Sequence, residues 1–353
     1  MGIRSYSLFV VALLLLAVGC SNNYSAPATP AVMISPNPVT FPAISQGAKS
    51  GPTMVSIKNT GTGTLNIASI VVGGTNPGDF TTTNTCNMAL TTSGSCSVSV
   101  TFAPAHSGPL SETITLTDNA SDSPQVINVS GTANAIAITL TPPASATSTT
   151  GSIPYSASGD PNGVTWSVVG APFLGAPGMI ASPGTITSTG ASTANYVAPG
   201  AGPSFYATVT ATSKTDPTKS ASATVNVVAP GTFLQAPLNV QVAQYSVALP
   251  SPASASVQFG LTTSYGLSTW TQPSPANLAT PFTLYVAGMK QSTPYHMQGL
   301  IQFADGTSLS DSDFTFTTGA LPAGTIPNIA ATTTANMTPQ SGVEMLDSLS
   351  TNA

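Results

Sequence analysis

Cys96, Val98, Val100 and Phe102 alternate with Ser97, Ser99 and Thr101. A period of two with the apolar residues on one side is the pattern of a half-buried β-strand, because successive side chains of an extended chain point to opposite faces. The alternation recurs along the chain. Ile114 and Leu116 stand between Thr113, Thr115 and Thr117; Val164, Trp166 and Val168 alternate with Thr165, Ser167 and Val169. Tyr295, Met297, Gly299, Ile301 and Phe303 share one face, and His296, Gln298, Leu300 and Gln302 the other. Glycine and proline, 31 of each, fall between these runs as turn punctuation. No helical periodicity longer than the first apolar run precedes the last dozen residues. The expected fold class is therefore all-β. A chain of 353 residues is too long for one sandwich and suits three modules of about 100 residues each.

Before the first strand, Arg4 is the only charge ahead of an apolar run over residues 8–17. A positive start, a short apolar core and small residues at its end make a secretory signal. The run is too short for a membrane span, which needs about 20 apolar residues. Its end, Leu16-Ala17-Val18-Gly19-Cys20, resembles the bacterial lipoprotein lipobox. The resemblance implies cleavage before Cys20 and lipidation of that residue, with Ala17 where the family more often has Leu. Ordinary cleavage leaving a free Cys20 is the alternative. Ser21 resembles the outer-membrane class of such lipoproteins. The expected location is thus the cell envelope, with the membrane reached through a lipid anchor.

Beyond residues 1–19, the sequence divides into a tether over 20–31, modules over 32–133, 134–229 and 230–319, and a flexible tail over 320–353. The tether, Ser-Asn-Asn-Tyr-Ser-Ala-Pro-Ala-Thr-Pro-Ala from Ser21, has no periodicity. Only 5% of the residues are charged, and after the leader five lysines face eleven carboxylates. No basic surface forms from that balance, which argues against a nucleic-acid partner.

The first module carries Phe41, Asn59-Thr60-Gly61-Thr62, Leu65, Phe80, Cys86, Gly94-Ser95-Cys96, Val98, Val100, Phe102-Ala103-Pro104, Gly108 and Val129-Ser130-Gly131. This set resembles the ASH/HYDIN-type immunoglobulin-like module, which implies no chemistry. Cys20, Cys86 and Cys96 are an odd set, so two pair only if one is used otherwise. Cys86 and Cys96 bracket a short loop, and in an exported protein they read as a disulfide. A redox pair lacks the Cys-x-x-Cys spacing, and a metal site would have only His106 nearby as a further ligand.

In the second module Trp166-Ser167-Val168, Tyr196-Val197-Ala198-Pro199, Val209-Thr210-Ala211-Thr212-Ser213 and Ser222-Ala223-Thr224-Val225 resemble bacterial Ig-like repeats of the Big family. Trp166 is expected in the core rather than as a sugar platform. In the third, Met289-Lys290-Gln291-Ser292-Thr293-Pro294-Tyr295 resembles a fibronectin type III stretch, which implies a tyrosine corner at Tyr295. Asp305-Gly306-Thr307 reads as a hairpin turn. His296 reads as a solvated strand residue. Asp305, Asp311 and Asp313 read as a polar hairpin rather than a calcium cluster, because EF-hand spacing and a bidentate Glu are missing. Tyr265 and Trp270 are the candidate ligand contacts, as exposed aromatics for a glycan or protein, with packing at the sandwich edge as the alternative.

Residues 259–266, 286–289, 295–297 and 339–346 together resemble the region ahead of the β-propeller in exported arylsulfotransferase-like proteins. The given sequence ends where that propeller would begin, and the family's catalytic His lies in the missing part. Neither His106 nor His296 inherits its role.

No Gly-x-Ser-x-Gly elbow, P-loop, Rossmann glycine pattern or His-Glu-x-x-His occurs. Glu112 and Glu344 are the only glutamates. No catalytic residues, metal ligands or cofactor are therefore expected. The expected role is non-catalytic: a lipid-anchored Ig-like stalk for adhesion or protein or glycan interaction. The alternative is a truncated N-terminal part of an arylsulfotransferase-like enzyme.

Overall fold

The computed structural model describes residues 27–171 and 182–321. Cys20, the apolar run before it and residues 339–346 lie outside the described residues. Three β-sandwiches follow one another along the chain, each with its own apolar core.

In module 1 one sheet has the order Val32–Ser35, Thr53–Asn59, Ser95–Phe102, Phe80–Asn84. The facing sheet has the order Val39–Thr40, Gln125–Asn134, Gly108–Asp118, Ile67–Gly73. Val39–Thr40 and Ile44–Ser45 both run parallel to Gln125–Asn134, while the other pairs are antiparallel. The alternation read from the sequence holds. Cys96, Val98, Val100 and Phe102 are buried, and so are Ile114 and Leu116. Phe102 stacks on Phe80 at 4.9 Å and on Phe41 at 5.8 Å between ring centroids. Burying each such ring stabilises by roughly 2–3 kcal/mol. Cys86 and Cys96 form a disulfide with Cα atoms 5.1 Å apart. A single 3₁₀ turn, Pro77–Asp79, interrupts the strands of this module.

Module 2 pairs Thr139–Thr141, Ser152–Ser158, Thr193–Val197 and Thr185–Ser188 in one sheet. The second sheet has the order Ala144–Ser148, Ser220–Val228, Phe205–Ser213, Val164–Gly170. Taking Thr139–Thr141 and Ala144–Ser148 as two halves of one strand, the sheets combine strands 1, 2, 5 and 4 against 3, 6 and 7. That is the strand order of an immunoglobulin constant domain. Ala144–Ser148 switches sheets and runs parallel to Ser220–Val228. Trp166, on the third strand, packs against the core as expected, with its ring 6.4 Å from that of Tyr155.

Module 3 sets Thr232–Ala236, Asn239–Val247 and Phe282–Val286 against a sheet centred on Ala253–Gly260 and Pro294–Phe303. The edge beyond Ala253–Gly260 is made by Leu267–Ser268 and Gln272–Pro273. The last strand is split into Ser308–Ser310 and Phe314–Thr317, both paired with Pro294–Phe303. Gly299 is buried opposite Tyr245, and a Cβ there would collide with the tyrosine ring. Only glycine lets the ring cross that strand. Tyr295 makes the expected corner: its hydroxyl oxygen accepts the Lys290 N–H at 3.0 Å. All three modules are immunoglobulin-like sandwiches in tandem, as the alternation and the resemblances implied.

Two stability predictions follow from these ties. Replacing Cys86 and Cys96 together by Ser frees a short loop in the unfolded chain, so module 1 should lose about 2.5–3 kcal/mol. A urea titration monitored by module-specific NMR signals checks this, with modules 2 and 3 unchanged. Tyr295→Phe leaves the Lys290 N–H without its acceptor and should cost module 3 about 1–2 kcal/mol in the same titration.

Candidate functional site

The candidate ligand contacts lie on module 3: Tyr265 where the chain turns between Ala253–Gly260 and Leu267–Ser268, and Trp270 just after that edge segment. Tyr265 is held at φ +52° and Gly266 at φ +87°, and the Tyr265 N–H donates to Thr262 O at 3.0 Å. This left-handed pair tightens the loop. The Tyr265 hydroxyl donates to Asp313 Oδ1 at 3.1 Å. The other Asp313 oxygen meets His296 Nδ1 at 2.7 Å. His296 is thus not simply solvated: its side chain is 33% exposed and oriented by a carboxylate. The reason is tertiary, since Asp313 sits in the break between the two halves of the last strand. Partial burial and then Asp313 push the Tyr265 phenol pKa up.

Tyr265 is therefore tied down, whereas Trp270 is 89% exposed. Trp270 lies between the two short edge segments, and Leu267 and Leu261 are exposed in the same loop and edge region. Of the two aromatics, the tryptophan is the one with a free face. An indole on a rim offers a π surface for a sugar ring or an apolar side chain.

The three aspartates of module 3 do separate jobs. Asp305 accepts from Thr307 N at 2.9 Å and, through its other oxygen, from Asn226 Nδ2 at 3.0 Å. Asp311 accepts from the Tyr245 hydroxyl and from Gly231 N. Burial pushes the Asp311 carboxyl pKa up, and burial followed by the Asp311 charge pushes the Tyr245 phenol up. Asp313 holds His296 and Tyr265. In module 1, His106 Nδ1 lies 3.0 Å from Asp79 Oδ2, and the buried Asp79 also accepts from Ala105 N at 2.6 Å. Cys86 and Cys96 are spent on each other, so neither joins His106 as a thiolate ligand. Among the described residues no three His, Cys, Asp or Glu side chains converge as a metal site.

A residue that the sequence reading did not single out is Asp160 in module 2. It accepts from Thr215 N at 2.9 Å, Thr215 Oγ1 at 2.7 Å, Asn162 N at 2.8 Å and the Ser213 hydroxyl. Burial opposes its ionisation, but these hydrogen bonds outweigh burial and hold the pKa at about 2. The Asp-Pro-Asn-Gly run over 160–163 marks a turn in sequence. It gives no sign of the distant partners at 213 and 215.

The family of HYDIN/CFA65/VesB-like Ig-like domains matches residues 30–132, which is module 1. No curated protein matches the chain. Among solved structures, the ASH/PapD-like domain 7 of human CEP192 is 19% identical, with 38% of this chain and 99% of that one covered and a TM-score of 0.24. The VesB protease of Vibrio cholerae is 15% identical over 29% of this chain and 31% of its own, at a TM-score of 0.23. FdeC, an Escherichia coli adhesin, is 12% identical over 81% of this chain and 97% of its own, at 0.25. The immunoglobulin-like assignment of the modules rests on their strand order rather than on these superpositions.

The depressed Asp160 pKa sets an acid limit. A carboxylate whose folded pKa lies below its unfolded value of about 3.9 stabilises fully above that value, and the contribution is lost as pH falls towards about 2. The thermal stability of module 2 should therefore fall between about pH 4 and pH 2. Asp160→Asn should lower stability at pH 6 and flatten this acid limb; an unchanged limb would place the titration elsewhere.

Proposed function

We propose that this chain is a non-catalytic, lipid-anchored protein of the cell envelope, a stalk of Ig-like modules that presents module 3 to a protein or glycan. The observation that carries the reading is the serial arrangement of three separately cored sandwiches behind the run 8–17 and Cys20. The carboxylates of Asp79, Asp160, Asp305, Asp311 and Asp313 are each engaged in structural bonds, which supports a scaffold rather than a reaction centre. The anchor, the envelope location and the contact at Trp270 are parts of this proposal, and nucleic acid is not among its partners.

Metabolic labelling with a fatty-acid analogue tests the anchor: the wild-type chain should take up label and Cys20→Ser should not. Equal labelling of both ends the reading. Binding by module 3 is tested on a glycan array and by pull-down with envelope extracts. Trp270→Ala should reduce any retained ligand by at least about tenfold, the order of change expected when an aromatic contact is truncated. Retention unchanged by that substitution removes Trp270 from the site.

A further inference from the structure

We infer that the tandem flexes at one place only: modules 2 and 3 are locked in one fixed arrangement, and the joint between modules 1 and 2 is the hinge. The inference is independent of anchoring and of any ligand. It starts from a break in the alternation of Ser220–Val228. Ala223, Val225 and Val227 face the core of module 2, so Ser222, Thr224, Asn226 and Val228 belong to the outer face. Ser222 and Thr224 are exposed as that predicts. Asn226 and Val228 are each only 1% exposed.

Module 3 is what covers them. Val228 is part of the apolar core of module 3, and Ala146, the parallel partner of Asn226, packs against that core. The half-strand Ser308–Ser310 lies along Ala144–Ser148. The Asn226 side chain is satisfied across the joint: Nδ2 donates to Asp305 Oδ2 at 3.0 Å, and Oδ1 accepts the Ser251 hydroxyl at 2.8 Å. The connection, residues 229–231, is itself tied at both ends. Ala229 N donates to Ser204 Oγ at 2.8 Å and Gly231 N to Asp311 Oδ2 at 3.2 Å. Swinging module 3 away would expose Val228 and Ala146 together and break a partly buried polar network centred on the buried Asn226 amide. Such a network fixes one geometry because each member is paired only there.

The joint between modules 1 and 2 is built differently. The core of module 1 ends at Ala133 and that of module 2 begins at Leu140, with no shared residue. Ile136 is buried in the linker but belongs to neither core. The side-chain bond across the joint, Asn162 Nδ2 to Gly47 O at 3.3 Å, is exposed. The Gly47 backbone also lies against the Thr215 side chain, but an exposed hydrogen bond restrains little, and relative motion is the default between modules that share no apolar core.

Electron–electron distance measurements on the full chain carrying Cys20→Ser test this. Nitroxide pairs at Ser69 and Ser188 report the first joint, and pairs at Ser188 and Gln272 the second. The distribution across modules 2 and 3 should be single and narrow, and that across modules 1 and 2 at least about twofold broader. Asn226→Asp sets a second carboxylate against Asp305 and should broaden the second distribution. The double variant Asn226→Asp, Asp305→Asn restores a donor–acceptor pair and should narrow it again, which separates loss of the lock from loss of folding. Equal widths at the two joints in the wild-type chain, or a second distribution unmoved by Asn226→Asp, would overturn the inference.

Discussion

Backbone pairing across two facing sheets is the constraint on which everything else in this molecule depends. The outer faces of its strands are largely serine and threonine; threonine favours extended backbone, and both contribute little burial. The inner faces carry apolar residues at every second position. Neither face stabilises a lone hairpin in water, so each sheet must find a partner sheet. Three such closures are made in series, and each keeps its own core.

A chain so poor in charge places several of its few polar anchors inside. In module 1, Asn59 is 0% exposed; its amide donates to Gly63 O and Leu90 O and its carbonyl accepts from Gly61 N. In module 2, Asp160 does the same for the loops at 162 and 213–215. In module 3, Asp311 joins Tyr245 to Gly231. Each of these groups pins loop backbone that no ladder reaches, and each is costly to leave unpaired because it is buried or, for Asp311, half-buried. The same economy pairs both histidines with aspartates, so that each imidazole is oriented by a carboxylate.

Much of the fold was legible in sequence. The inward sets at 96–102 and 295–303 were read to the residue, because a period of two leaves no freedom of facing once one residue is buried. The corner at Tyr295 was implied by the fibronectin type III resemblance, and the disulfide between Cys86 and Cys96 by the short loop that they bracket in a chain read as exported. Less of the candidate site was. Trp270 and Tyr265 looked alike as aromatics in one loop, yet Asp313 holds the phenol while the indole remains open. His296 looked solvated because its partner lies seventeen residues on, beyond any periodicity.

The sequence by itself determined the fold class, the number of modules and the inward face of the strands that alternate, such as 96–102 and 295–303, because alternation and turn residues act over a few neighbours. Tertiary structure decided which polar groups meet, and therefore which joint is stiff. Asn226 and Val228 have the outward spacing of Ser222 and Thr224, and nothing local distinguishes them as buried. They are buried because a second sandwich lies on that face, and contact between modules is set by the path of the whole chain rather than by the pattern of one strand.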